Sequence, residues 1–199
     1  MKLELFTTYG TGTWQEQFHQ VVSFQEDKGS ENQVVNLYPD VKFETIEGFG
    51  GAITDAAAYV YSLMDEEQKK QLMTTYFSPE RMKYGIVRIH MDSCDFSTEM
   101  YEAMSDANDI EMKSFSFART EKYILPMLED AQRAAGKPLK LMLSPWSPPS
   151  FMKTNGQRTY GGSLKPEYRA MWANYICRYI VEFEKRGYQV QRMSLQNEP

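Results

Sequence analysis

The chain has little cysteine and little histidine, and each shortage removes a class of chemistry. Cys94 and Cys177 are its two cysteines and stand far apart, so neither a disulfide framework nor a zinc site is expected. Two histidines, His19 and His90, do not make a histidine-rich metal centre. No apolar run approaches the roughly 18 residues of a membrane-spanning helix. Positive charge is not in surplus either. The 199 residues carry a net charge of −5 with acids and bases interspersed, so neither nucleic acid nor an anionic membrane is an expected partner. The opening Met-Lys-Leu-Glu-Leu-Phe is too short and too charged for a secretory leader. The expectation is a cytoplasmic protein, or one whose leader has been removed. Internal repeats and low-complexity tracts are absent from the sequence.

What is present is a core. Hydrophobic residues make up 42% and aromatic residues 14%, enough for one domain, or one domain plus part of another. Residues 1–42 read as an N-terminal β segment, with a strand-like Val34-Val35-Asn36-Leu37-Tyr38 and turns at Gly10-Thr-Gly12 and Asp27-Lys-Gly29-Ser30. Over 43–199 the rhythm becomes strand, helix, strand, helix. A first strand is expected at Glu44–Gly48, running into a turn at Gly48-Phe-Gly50-Gly51-Ala52, with a helix from about Asp55. Asp65 and Gln68 predict a capping box for another helix.

A second strand is expected at Ile86–Met91, a third at Leu139–Leu143 and a fourth at Val190–Gln196. Between them, a helix from about Phe117 carries Ile124, Leu128, Ala131 and Ala135 on one stripe. Pro126 should kink this helix or mark its first turn, and Gly136 and Pro138 stop it. A further helix from about Pro166 buries Trp172, Tyr175, Tyr179 and Phe183 and ends at Gly187. Helices of this length between strands imply right-handed crossovers and a parallel sheet. About four βα units make this either the first half of a (β/α)8 barrel or a small open α/β sheet.

In a barrel, chemistry gathers at the carboxyl ends of the strands. The fourth strand runs into Asn197 and Glu198. A carboxylic acid there is suited to donate a proton to a leaving oxygen, provided burial or a second carboxylate raises its pKa. Asn197 is placed to bind a hydroxyl beside the scissile bond. Elsewhere a lone Glu is a solvated loop residue. Trp146, between prolines, offers an indole face on which a sugar ring stacks, or fills space under a loop.

Arg88, in an apolar strand, needs an acceptor. It either orients a catalytic carboxylate or forms a structural ion pair with Asp55 or Asp92. Asp95 accepts from sugar hydroxyls or simply caps its loop. His90 reads as a hydrogen-bonded wall of the pocket rather than a base, and Cys94 as a small buried residue. Gly48-Phe-Gly50-Gly51 suggests a dinucleotide turn, but Ile53 stands where Gly-x-Gly-x-x-Gly requires glycine.

These residues fall into stretches that together resemble glycoside hydrolase family 30, the family of the glucosylceramidases. The stretches are Glu47-Gly-Phe-Gly-Gly-Ala-Ile-Thr-Asp-Ala-Ala-Ala58, Arg88-Ile-His-Met-Asp-Ser-Cys-Asp-Phe-Ser97 and Leu143-Ser-Pro-Trp-Ser-Pro-Pro149. Lys153-Thr-Asn-Gly156, Gly162-Ser-Leu-Lys165 and Gln196-Asn-Glu-Pro199 complete the set. The resemblance implies a (β/α)8 barrel with a side β-sandwich, to which the N-terminal strands contribute, and a retaining mechanism on β-glucosides or glucosylceramide-like substrates without metal or organic cofactor. It implies Glu198 as acid/base, Asp95, Trp146 and Asn197 as holders of the glucose unit, and Arg88 behind a nucleophile. That nucleophile, a Glu after the seventh strand, is absent from this chain. The expectation is therefore an N-terminal part of such an enzyme, inactive alone, whose partner is the C-terminal half of the barrel. Three other readings remain: a β-1,6-glucanase of the same family, a non-catalytic carbohydrate-binding module, and a nucleotide-binding α/β domain.

Overall fold

The N-terminal β segment begins with a hairpin. In the computed structural model, which describes residues 2–11, 14–26, 28, 29 and 35–198, β1 (Lys2–Thr11) pairs antiparallel with β2 (Trp14–Ser23), in register from Lys2↔Ser23 to Thr11↔Trp14. Across it the Phe6 ring stacks on His19 with centroids 4.4 Å apart. Gly10 belongs to β1 rather than to a turn, and Val35–Tyr38 do not form the expected strand. Gly12, Asp27, Ser30 and Val34 lie outside the described residues. The hairpin belongs to one compact unit, Met1–Thr45; the second unit is Ile46–Pro199.

The second unit is a four-stranded parallel sheet with helices between its strands. Its strands are β3 (Gly50–Ile53), β4 (Ile86–Met91), β5 (Lys140–Pro145) and β6 (Val190–Met193), adjacent in the order they occur in the chain. The order never reverses, so the sheet has no switch point of the kind at which doubly wound sheets bind nucleotides. It is the order of successive strands in a (β/α)8 barrel.

The sequence reading misplaced the first of these strands. Glu44–Gly48 is not a strand; Gly50 and Gly51, expected to belong to the turn after it, are themselves in β3. Gly50 pairs with Ile86, and a Cβ on Gly50 would lie 1.8 Å from the Ile86 carbonyl oxygen. The first strand thus has glycine where a β-branched residue would announce it, because β4 leaves no room for a side chain. The last strand is also shorter than expected: it ends at Met193, and Ser194–Gln196 leave the ladder.

The helices follow their local signals. α1 (Asp55–Leu63) is capped by Thr54, whose hydroxyl accepts from the Ala57 N–H at 3.3 Å. α2 (Glu66–Phe77) carries the reciprocal Asp65–Gln68 capping box, with bonds of 2.8 and 3.1 Å. α3 (Ala118–Ala135) buries the stripe Ile124, Leu128, Ala131 and Ala135, contains Pro126 in its interior rather than its first turn, and stops at Gly136 with φ 65°. α4 (Arg169–Glu184), preceded by a 3-10 turn at Pro166–Tyr168, buries Tyr175, Tyr179 and Phe183, while Trp172 is only half-buried. Six methionines (Met73, Met91, Met104, Met112, Met127 and Met152) help to fill the core between sheet and helices, their unbranched chains adapting to irregular gaps.

Candidate active site

The site grows from the carboxyl ends of β4, β5 and β6. After β6 the chain leaves the ladder but stays tied to β5. The Ser194 N–H donates to the Leu143 carbonyl at 2.9 Å and the Asn197 N–H to the Pro145 carbonyl at 3.0 Å. The Gln196 side-chain amide donates to the Trp146 carbonyl at 2.8 Å. These bonds carry the chain past the sheet to Glu198, which has a left-handed backbone (φ 45°) and an exposed side chain.

Arg88 braces this end of the sheet. One guanidinium nitrogen donates to Ser144 Oγ at 2.6 Å and to Asn197 Oδ1 at 2.7 Å. The guanidinium carbon lies 4.5 Å from the centre of the Trp146 ring, within cation–π range. Neither expected ion pair, Arg88–Asp55 or Arg88–Asp92, forms. Asp55 instead takes Arg119, with bonds of 2.9 and 3.0 Å, and Asp92 takes Arg158 at 2.8 Å. The reason lies in the backbone. Asp55 opens α1, and Asp92 adopts φ 57°, a conformation that aspartate tolerates and that turns its carboxylate toward α4.

His90 is a buried, fully engaged side chain. Nε2 accepts from the Asp55 N–H at 2.9 Å, so the proton is on Nδ1, which donates to the Asp92 carbonyl at 2.5 Å. Burial depresses its pKa, since the charged ring would lose its hydration. The ring meets Trp146 edge to face, centroids 6.3 Å apart. Cys94 is half-buried, and burial raises its thiol pKa, the opposite of what a nucleophilic thiolate needs.

Trp146, Asn197 and Glu198 line one cleft of about 570 Å³, with Lys153, Arg158 and Trp172 among its other walls. Its volume is that of a small-molecule site. Arg88 and His90 stand behind this wall rather than on it. Asp95 is exposed on the turn after β4 and does not line the cleft. Among the described residues no group of three His, Cys, Asp or Glu side chains is placed to hold a metal ion, and no helix is long and apolar enough to cross a membrane.

Two polar clusters escaped the sequence reading. In the first, burial acts to raise the Asp55 pKa, but bonds from Arg119 and Thr98 outweigh it and hold the carboxyl below its usual range. In the second, the Asp92 carboxylate is 1% exposed and accepts from Arg158, the Ala103 N–H and the hydroxyls of Tyr175 and Tyr179. The available signal was the spacing of Tyr175 and Tyr179 four apart on one helix face, which periodicity alone reads as apolar core.

Comparison with known proteins gives a consistent result. Residues 46–199 match the Glycosyl hydrolase family 30 TIM-barrel domain. The lysosomal acid glucosylceramidase of Mus musculus is 33% identical over 184 residues, covering 90% of this chain and 36% of that protein. Among solved structures, SrfJ from Salmonella typhimurium superposes with a TM-score of 0.83 at 37% identity, covering 92% of this chain and 41% of that one. The endo-β-1,6-glucanase BT3312 superposes with a TM-score of 0.72 at 30% identity, covering 82% of this chain and 37% of that one. The chain spans about a third of the length of the curated relatives it matches.

Proposed function

The chain belongs to glycoside hydrolase family 30, and on that premise we propose that it supplies the acid/base half of a retaining β-glucosidase site. Glu198 protonates the leaving oxygen as the glycosidic bond breaks and, once ionised, activates the water that releases the sugar. Trp146 stacks against the glucose ring and Asn197 binds a hydroxyl next to the anomeric carbon. The observation that carries this reading is that Trp146, Asn197 and Glu198 line one cleft while Arg88 contacts the first two together. Asp95, exposed on the turn after β4 and outside this cleft, is a further candidate to hold a glucose hydroxyl.

Retention requires a second carboxylate ~5–5.5 Å from the first, acting as nucleophile. On the resemblance to the family it comes from a glutamate after the seventh barrel strand, beyond the four strands described here. The names of two relatives support the substrate class. One is named a glucosylceramidase and the other an endo-β-1,6-glucanase; both names point to a glucosyl bond, and the second to a β linkage. A β-glucoside with either kind of leaving group therefore fits the proposal.

The test is leaving-group dependence in a barrel completed through its remaining strands. Glu198→Gln is expected to lower kcat/KM, which reports the bond-breaking step, for an alkyl β-glucoside by about 10²–10⁴-fold. It should lower kcat/KM for a dinitrophenyl β-glucoside far less, because that leaving group departs without a proton. Equal loss of kcat/KM on both substrates, or no loss, removes Glu198 from the acid/base role.

A further inference from the structure

Asp92 is more heavily bonded than support of its own loop requires. Its carboxylate draws together four parts of the chain: its own position after β4, the Ala103 N–H at 2.8 Å, the α4 hydroxyls of Tyr175 at 2.7 Å and Tyr179 at 2.8 Å, and Arg158 at 2.8 Å. Arg158 is the member that leads to the cleft. It is 8% exposed, and its second terminal nitrogen donates to the Ser93 carbonyl at 2.7 Å, so both bonds reach the residues that follow β4.

Arg158 sits at the middle of a folded-back segment, residues 153–164. The base of this segment is a bridge between Lys153 and Leu164 and a Thr154 N–H to Ser163 carbonyl bond of 2.9 Å. Its tip is gathered by the Asn155 amide, which donates to the Thr159 carbonyl at 3.0 Å and the Gly161 carbonyl at 3.2 Å. Lys153 Nζ donates inward to the Arg158 carbonyl at 3.4 Å. The segment is thus internally consistent, and Lys153, Arg158, Gly161, Gly162 and Leu164 all line the cleft shared with Glu198.

We propose that Asp92 and Arg158 are a positioning pair, which fixes the 153–164 segment as the wall of the cleft and so sets the space left for a glucoside beside Glu198; this rests on the glycosidase reading above. The pair touches no reacting atom. It acts through geometry: a displacement of about 1 Å in a wall that orients substrate changes rates and affinities up to 10²-fold. A buried ion pair is also well suited to specify a single arrangement, since a shifted loop would leave both charges without partners.

The test uses three variants: Arg158→Met, Asp92→Asn, and the two combined. Each single change strands one buried partner and should lower stability. The double variant leaves no unpaired charge and should recover most of it. Amide exchange across residues 153–164 is expected to speed by about 10-fold or more in Arg158→Met and to stay fast in the double variant. In a barrel completed through its remaining strands, affinity for methyl β-glucoside, by calorimetry, should fall by about 10-fold or more and likewise stay low after stability has recovered.

Exchange that remains at the wild-type rate in folded Arg158→Met overturns the proposal. So does affinity that returns together with stability in the double variant, for then the pair serves the fold alone. Should the barrel completed through its remaining strands fail to bind the glucoside with the wild-type residues in place, the glycosidase reading is what fails; exchange in the 153–164 segment still decides whether Asp92 and Arg158 hold the wall.

Discussion

Arg88 and Trp146 meet face on: the guanidinium carbon lies 4.5 Å from the centre of the indole, while the same guanidinium donates to Asn197 Oδ1 at 2.7 Å. One side chain from β4 therefore aligns two residues that follow different strands. Its planar fork allows both contacts at once, which a lysine ammonium cannot reproduce.

Arg88→Lys keeps the charge and discards the geometry. β-Glucoside binding is expected to weaken by about 5- to 30-fold, or roughly 1–2 kcal/mol, as the stacking and the directed bond to Asn197 are lost. Calorimetric titration checks it; undiminished binding would show that Trp146 and Asn197 hold their places without Arg88.

Two adjacent glycines should respond very differently to one methyl group. An alanine Cβ at Gly50 meets the Ile86 carbonyl oxygen at 1.8 Å, whereas at Gly51 it meets the edge of the Tyr84 ring at 3.4 Å. Gly50→Ala must part β3 from β4 and is expected to cost about 3 kcal/mol or more, the range of severe overpacking. Gly51→Ala should fall within about 1 kcal/mol of the parent. Urea unfolding midpoints compare the two, and equal midpoints would contradict the close approach of β3 to β4.

Asp55→Asn leaves the Arg119 guanidinium facing a neutral amide. Asp55 is fully buried and Arg119 is one-fifth exposed, so the loss should sit at the lower end for broken buried pairs, about 3 kcal/mol. Thermal or urea unfolding measures this directly, and a loss below about 1 kcal/mol would place the pair among ordinary surface bridges.

His90 gives the fold an acid-sensitive component. Its pKa is depressed in the folded state by burial, so the unfolded chain takes up a proton first as pH falls. Stability is then expected to decline as pH drops below about 6.5, the ordinary histidine value, and to go on declining until the folded-state pKa is passed. The Asp55 carboxyl, also depressed, adds a separate loss that begins only below about pH 5. Unfolding midpoints between pH 7 and pH 5 isolate the histidine; in His90→Gln this interval should be flat, though at lower overall stability because the bonds to Asp55 and Asp92 are changed.

Much of this architecture was legible in the residues. The Asp65–Gln68 cap, the α3 stripe with Gly136 behind it, and the span of β4 all follow from local rules, because capping and periodicity involve neighbours a few positions apart. β3 was not legible, since its composition answers to a carbonyl 36 residues away at Ile86. The partners of Arg88 were misread for the same reason. Three arginines and two buried aspartates can be matched in several ways, and only the turn of the backbone at Asp92 decides among them. Three of the residues that line the cleft, Trp146, Asn197 and Glu198, could be singled out because each lies at or shortly after the carboxyl end of a strand-like run, whereas Arg158 lies in a loop whose course no pattern announces.

The methionine-rich core has a practical corollary. Met82 and Met100 are more than half exposed, while the six core methionines are 8% exposed or less. Peroxide converts accessible thioethers to sulfoxides, and a sulfoxide inside the core would be too polar to repack. Mild oxidation read by mass spectrometry should therefore mark Met82 and Met100 first. Each core methionine becomes a clock for the opening of its own neighbourhood, with Met152, beside the cleft-forming loop, timing that part of the protein.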